Sequence, residues 1–257
     1  MEIQHVLMLF GAGIVGGSLS GMVGGASLVT FPAMLAIGLP PVTAAASNVV
    51  AMIPASFAAA ITERSQLPPL DRSFAGLVCV SVLGAMVGAV LLVVTPQRAF
   101  EVLVPFLIGF ATVLFALSGR ISAWLRARAE TRGGRAPRVG IGSIPMMVPV
   151  SIYGGYFGAG VGVVALAVMS IGTGGDYRSA NLTKNIVMGL NTIAAAVVLS
   201  VQNAVSWPPT LVMMAGAVFG GLLGAQLSRI VPPGAMRVFV VAFGALLTAI
   251  FAWRYWL

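Results

Sequence analysis

Charge is what this sequence has least of. Only 8% of its 257 residues are charged, while 59% are hydrophobic and the mean hydropathy is +1.03. A soluble domain carries about a quarter charged residues, so this balance excludes one and points to an integral membrane protein. The net charge of +8 does not imply nucleic acid, because the positive residues sit in loops between apolar runs. Cysteine is nearly absent too: Cys79 stands alone, which excludes an intrachain disulfide and a cysteine metal site. The lone histidine, His5, lies at the N-terminus and cannot build a metal site or a nucleophile–histidine triad. The six carboxylates, Glu2, Glu63, Asp71, Glu101, Glu130 and Asp176, fall in or near loops or helix ends. A carboxylate proton relay or cation pump therefore has no support. Nor does Gly172–Asp176 find a second intramembrane Asp to complete a protease dyad. No cofactor, metal or enzyme chemistry is called for. No basic stretch precedes the first apolar run, which reads as a retained helix rather than a cleaved signal.

What is present is a series of apolar runs, several near the roughly 20 residues of a membrane-spanning helix. They cover Val6–Val23, Ala26–Gly38, Val42–Ile61, Ser73–Val94 and Ala99–Leu117, then Ile141–Phe157, Val161–Ile171, Asn181–Val201, Pro208–Ile230 and Ala235–Trp256. Leu39-Pro40-Pro41 ends the second run, and Pro54 predicts a kink in the third. Setting Gly21 and Gly24 on Gly155 and Gly158 brings the rest into order. Asn48 then falls on Asn185, Pro54 on Asn191, Gly84/Gly88 on Gly220/Gly224 and Pro96 on Pro232. The spacing predicts an internal repeat. Its parts are a first transmembrane unit (1–118), a basic linker (119–140) and a second transmembrane unit (141–257).

Orientation follows from the basic residues. With the linker inside, Arg120, Arg126, Arg128, Arg132, Arg135 and Arg138 are cytoplasmic. Alternation adds Arg64, Arg72, Arg178, Lys184, Arg229 and Arg237, leaving only Arg98 and Arg254 outside. Both termini come out external. Each unit has an odd number of segments, so the two lie in opposite orientation. The expected fold is therefore all-α: a polytopic membrane protein of two inverted-topology repeats. Each repeat has a glycine-broken helical hairpin and three further transmembrane helices. Such repeats are a common transporter plan, with the site near the midplane where broken helices meet.

Two glycine clusters interrupt the apolar runs at matching places, Gly16–Gly25 and Gly154–Gly162. The first supplies bare backbone N–H groups at Gly21, Gly24 and Gly25, with hydroxyls from Ser18, Ser20 and Ser27. The second brings Gly158, Gly160 and Gly162. A helix that starts after such a break points its positive dipole end at the gap, which suits an anion. Close helix packing is the other use for these glycines. Asn48, Asn185 and Asn191 are buried amides that either face a cavity or tie helices together. Lys184 is the deepest positive charge beside an apolar run, and it either meets an anion or snorkels to the cytoplasmic surface. Tyr153 and Tyr156 flank the second cluster. Trp253, Tyr255 and Trp256 read as an external interfacial belt. The expected substrate site is Ser20, Gly21, Gly24, Gly25, Ser27, Asn48, Gly158, Gly160, Gly162, Lys184, Asn185 and Asn191.

The run Gly16-Gly-Ser-Leu-Ser-Gly21-Met-Val-Gly24-Gly25, with Phe31-Pro32, Ile37–Val42 and Ala44-Ala-Ala-Ser47-Asn48, resembles the first signature of the sulfite exporter TauE/SafE family. Tyr153–Gly162 and Ala180-Asn-Leu-Thr-Lys184-Asn185 resemble its second. The likeness covers nearly the whole chain. One departure is that similar proteins often have a longer glycine run where Ala26 and Ser27 stand. The resemblance implies a bacterial inner-membrane transporter of sulfur-containing anions such as sulfite or sulfonates, often an exporter. The partners expected are a small anionic substrate and the lipid bilayer, without nucleic acid, and a homo-oligomer is compatible with this reading. An anion channel and an uptake carrier for another small organic anion stand as alternatives.

Overall fold

The computed structural model describes residues 2–22, 25–55, 72–131, 144–172, 177–227 and 233–256, and it has no strand among them. In chain order the helices are α1 (Ile3–Met22), α2 (Ser27–Ala36), α3 (Pro41–Ala51), α4 (Arg72–Val94) and α5 (Gln97–Thr131), then α6 (Ile144–Tyr156), α7 (Val161–Gly172), α8 (Tyr177–Val201), α9 (Trp207–Leu227) and α10 (Pro233–Trp256). Gly24, Pro68-Pro69, Asp71, Asp176, Pro232 and most of the expected linker lie outside the described residues.

Five stretches are long and apolar enough to cross a bilayer: Ile3–Ser20, Arg72–Val94, Gln97–Ile121, Ala180–Val201 and Arg237–Trp256. Their outward faces carry exposed Leu83, Phe106, Phe110, Val113, Val197 and Trp253. So broad an apolar surface belongs against lipid. By contrast, α2 has 10 residues and α7 has 12, about 15 and 18 Å at 1.5 Å per residue, roughly half the hydrocarbon thickness.

Local chemistry sets the helix ends. Gly38 has φ +86°, the left-handed conformation that ends α2, and Pro41 opens α3 at a position where its missing N–H costs nothing. Of the kinked helix expected over Val42–Ile61, the structure describes residues 42–55. Past Ala51, Met52 still donates to the Asn48 carbonyl at 3.2 Å, and a further helical stretch contains Pro54, which has no N–H to donate to the preceding turn. At the other extreme, α5 runs for 35 residues, about 52 Å, and carries the chain into the segment read as linker.

The two most extensive helix pairs are α1 with α9 and α4 with α6, and α5 packs along α10. Glycines make the first two possible. A Cβ on Gly216 would strike the Phe10 carbonyl, one on Gly220 the Ile14 carbonyl, one on Gly88 the Ile152 carbonyl and one on Gly155 the Ala85 carbonyl. Backbones this close gain dispersion and Cα–H contacts that a side chain would forbid. Ser18 belongs to this seam, since its hydroxyl reaches the Gly220 carbonyl at 3.0 Å and the Ile14 carbonyl at 2.8 Å. Inside the bundle, α8 touches α3, α4, α6 and α7, while α2 touches α1, α3 and α10.

Candidate functional site

Both breaks are built from glycines in backbone conformations that L side chains rarely adopt. Gly25 has φ +122°, Gly158 +75° and Gly160 +74°. Only a residue without Cβ adopts these at no steric cost. At the second break the Phe157 and Gly158 N–H groups donate to the Tyr153 carbonyl at 3.0 and 3.1 Å, closing α6. The Tyr153 hydroxyl then donates to the Ala159 carbonyl at 2.7 Å and clamps the turn. Past it, Val161 N–H reaches the Gly158 carbonyl at 3.3 Å and Val163 N–H the Gly160 carbonyl at 3.1 Å, which starts α7. Among the described residues the Gly162 N–H meets no acceptor. At the first break Leu28 N–H donates to Gly25 and Val29 N–H to Ala26, each at 3.0 Å, which starts α2. The breaks also touch, through Phe31 and Phe157, whose rings meet edge to face at 5.2 Å.

A cavity of about 150 Å³ lies between them. That is room for a few waters or one small anion. The first break contributes Ser20, Gly25, Ala26 and Ser27, and α3 contributes Val49 and Met52. From the second half come Gly154, Phe157, Gly158 and Gly160, then Val161, Gly162 and Val163 of α7. Phe115 of α5 closes one wall. Along α8 the lining residues are Lys184, Asn185, Met188, Gly189, Asn191 and Thr192, one continuous helix face. These lie about 10 to 22 Å along a helix about 37 Å long, so the cavity sits at its middle.

Of the expected site residues, Ser20, Gly25, Ser27, Gly158, Gly160, Gly162, Lys184, Asn185 and Asn191 line this cavity. Gly21 lies in the last turn of α1 and is not among them, and Gly24 falls outside the described residues. Asn48 is not in the lining either. It is 2% exposed and its amide is hydrogen-bonded to Thr30 Oγ1, which also reaches the Ala26 carbonyl at 2.9 Å. Thr30 is the donor in both contacts, and its one hydroxyl proton serves the Ala26 carbonyl and Asn48 Oδ1 in turn. Asn48 is thus a tie between α3 and α2. Asn191 combines both roles: its amide nitrogen donates to the carbonyls of Ser81 at 3.0 Å and Ser151 at 3.2 Å.

The electrostatics favour an anion. α2 and α7 both begin at the cavity wall with their positive dipole ends, and Lys184 adds a full charge. Its ammonium donates to Asn181 Oδ1 at 3.0 Å, one turn back on α8. No carboxylate lies among the described lining residues, and no metal-holding cluster occurs among the described residues.

Phe115, Met52, Val49 and Thr192 were not expected in the lining. Phe115 sits within an apolar span that also holds Phe106 and Phe110, which are 60% and 50% exposed to lipid. Nothing in the local sequence separates the inward ring from the outward ones.

Residues 9–251 match the family model described as Sulfite exporter TauE/SafE. Over 248 residues the chain is 24% identical to a Probable membrane transporter protein of Haemophilus influenzae, covering 96% of this chain and 94% of the relative. It is 25% identical over 224 residues to Probable membrane transporter protein ORF9 of a Sinorhizobium species, covering 86% and 83%. It is 23% identical over 245 residues to Probable membrane transporter protein YfcA of Escherichia coli K12, covering 94% and 87%. No solved structure matches the chain.

Proposed function

The chain belongs to the sulfite exporter TauE/SafE family of membrane transporters, and on that premise we propose that it is a secondary carrier of small sulfur-containing anions such as sulfite or organosulfonates. The observation that carries this reading is the meeting of two glycine breaks, one from each half, at a cavity that also takes Lys184. Backbone N–H groups, two helix N-termini, the Asn185 amide and the Lys184 ammonium suit an oxyanion, and no carboxylate among the described lining residues is there to hold a cation.

Transport proceeds by alternating access between two inverted repeats. Helix packing supports the repeat. Exchanging the halves turns the α1–α9 pair into α6–α4, and both are extensive; it turns α5–α10 and α3–α8 into themselves, and both pairs are in contact. The breaks form hairpins, since α2 packs on α1 and α7 on α6. In this reading the linker faces the cytoplasm and both termini lie outside, the orientation that the bias of basic residues favours, and the membrane is the bacterial inner membrane that the family implies. Export is the direction the family implies.

Uptake of labelled sulfite, sulfonates and thiosulfate into proteoliposomes tests the reading. Saturable flux that falls in Lys184→Ala and Asn185→Ala is expected. If none of these anions moves, the substrate class is wrong. An unsaturated conductance in planar bilayers is the mark of a channel instead.

A further inference from the structure

One wall of the cavity comes from neither break. Phe115 of α5 lines the cavity and is 1% exposed. A Cβ built on Gly25 would fall on the Phe115 ring, so the ring tip lies directly against the bare backbone of the first break. One turn earlier on the same helix, the Ala111 Cα stands 3.3 Å from where a Cβ on Gly160 would be. The two left-handed glycines, one from each break, therefore lean on α5 four residues apart. Ala111 packs closely on its glycine outside the cavity lining, whereas Phe115 packs on its own and also lines the cavity. The nearby α5 hydroxyls are turned back to their own helix. Thr112 donates to the Ile108 carbonyl and Ser118 to the Phe115 carbonyl, each at 2.7 Å. What α5 presents to the cavity is the apolar ring.

We infer that Phe115 sets the upper size of the anion this cavity accepts, a statement that rests on the transporter reading above. The polar groups hold a charged headgroup, and whatever the headgroup carries must fit against a wall whose position is fixed by this ring. A smaller residue at 115 extends the cavity along the first break and leaves Lys184 and the α7 N-terminus in place. If the ring only filled the core, truncating it would lower stability and leave the chain-length preference unchanged.

The test uses the full chain in proteoliposomes and two homologous series, n-alkanesulfonates and n-alkanoates of increasing length. In the wild type, flux is expected to cut off at short chains. Phe115→Ala is expected to raise the long-to-short flux ratio by about tenfold or more, the discrimination typical of one methylene in an apolar pocket, with Phe115→Leu between. Where Phe115→Ala fails to fold, Phe115→Leu and Phe115→Met decide, each moving the cut-off to longer chains. A cut-off that none of the folded variants moves overturns the inference. A Phe115-dependent cut-off among alkanoates alone supports it and overturns the sulfur reading. No flux in either series overturns both.

Discussion

The amide nitrogen of Asn191 on α8 lies 3.0 Å from the Ser81 carbonyl of α4, in a residue that also lines the cavity. The same nitrogen reaches Ser81 Oγ at 3.3 Å and the Ser151 carbonyl of α6 at 3.2 Å. One side chain therefore ties the cavity-lining helix to the tightest helix pair of its neighbourhood. Asn191→Ala leaves buried carbonyls without a donor, and an unsatisfied buried group costs about 1–3 kcal/mol in water-soluble proteins, with a smaller average of roughly 0.6 kcal/mol for such bonds between membrane helices. A lower melting temperature in detergent is expected, with Asn48→Ala behaving the same way through its lost Thr30 contact. Ser151→Ala is the control: its hydroxyl is fully buried without a partner among the described residues, so its removal should leave melting unchanged or raise it.

Lys184 should show the reverse pattern. Its ammonium donates to Asn181 Oδ1 one turn back on α8, and the residue lines the cavity. Lys184→Ala is expected to raise the half-saturating anion concentration about tenfold, the loss of one charge-assisted hydrogen bond of roughly 1.5 kcal/mol, an effect on binding larger than any on melting. Lys184→Arg should recover most of it. A fall in melting temperature with unaltered saturation would make Lys184 a structural snorkel.

Glycines at the two breaks separate conformational need from room. Gly25→Ala is strained twice, by its φ of +122° and by the Phe115 ring in the way, so poor folding is expected. The double variant Gly25→Ala with Phe115→Ala should recover only part of the stability, because the backbone strain of about 1–2 kcal/mol remains. Gly162 has an ordinary backbone angle and nothing within 4 Å of an added Cβ. Gly162→Ala should melt at or above the wild-type temperature, since alanine favours a helix by about 1 kcal/mol. Its methyl group would nonetheless stand on the cavity wall, and anion flux is expected to fall. Unchanged flux would remove α7's first turn from the site.

These glycines show which parts of the molecule were legible in the sequence. A cluster of glycines in an apolar run marks either a helix interruption or a close helix seam, and both occur here: Gly25, Gly158 and Gly160 interrupt, while Gly155 packs against Ala85. Whether an amide faces a cavity or another helix is decided by packing from elsewhere in the chain. Asn48 and Asn191 look alike in sequence, yet Thr30, eighteen residues away, takes the first out of the cavity lining. Phe115 was illegible for a related reason. Its neighbour Phe110 differs from it only in which way α5 faces, and α5 is apolar on every side. Pro54 marked a disturbance in its own helix, and the structure puts it at Met52, two residues earlier, where α3 ends.

The close helix seams give a prediction about assembly of the bundle. Gly220 meets the Ile14 carbonyl on α1, and Gly88 meets the Ile152 carbonyl on α6. Neither partner is a flexible side chain, so an added methyl forces whole helices apart. Gly88→Ala and Gly220→Ala should each lower stability by about 1–3 kcal/mol, the usual cost of overpacking. Gly11, with nothing within 4 Å of its Cβ position, is the matched control on α1 and should accept alanine freely. Melting of the purified protein reads all three.

Inversion of the two halves can be tested with the single native thiol. Cys79 is exposed on α4 and must first be replaced, as Cys79→Ala. New thiols then go to exposed positions near helix ends: Gln97→Cys at the start of α5, Gln202→Cys after α8, and Ala123→Cys on the extension of α5. The bias of basic residues puts the first two outside and the third inside. A membrane-impermeant maleimide should therefore label Gln97→Cys and Gln202→Cys in intact cells, and Ala123→Cys only after the membrane is opened. The decisive comparison is Gln97 with Gln202. In the second half, Gln202 holds the place that the loop after α3 holds in the first, and Arg64 and Arg72 put that loop inside. Two halves in the same orientation would therefore protect Gln202→Cys while Gln97→Cys reacts. Labelling of both from outside requires the second half to enter the membrane from the opposite face. Only that arrangement lets α2 and α7 bring their N-termini to one cavity from opposite sides of the bilayer.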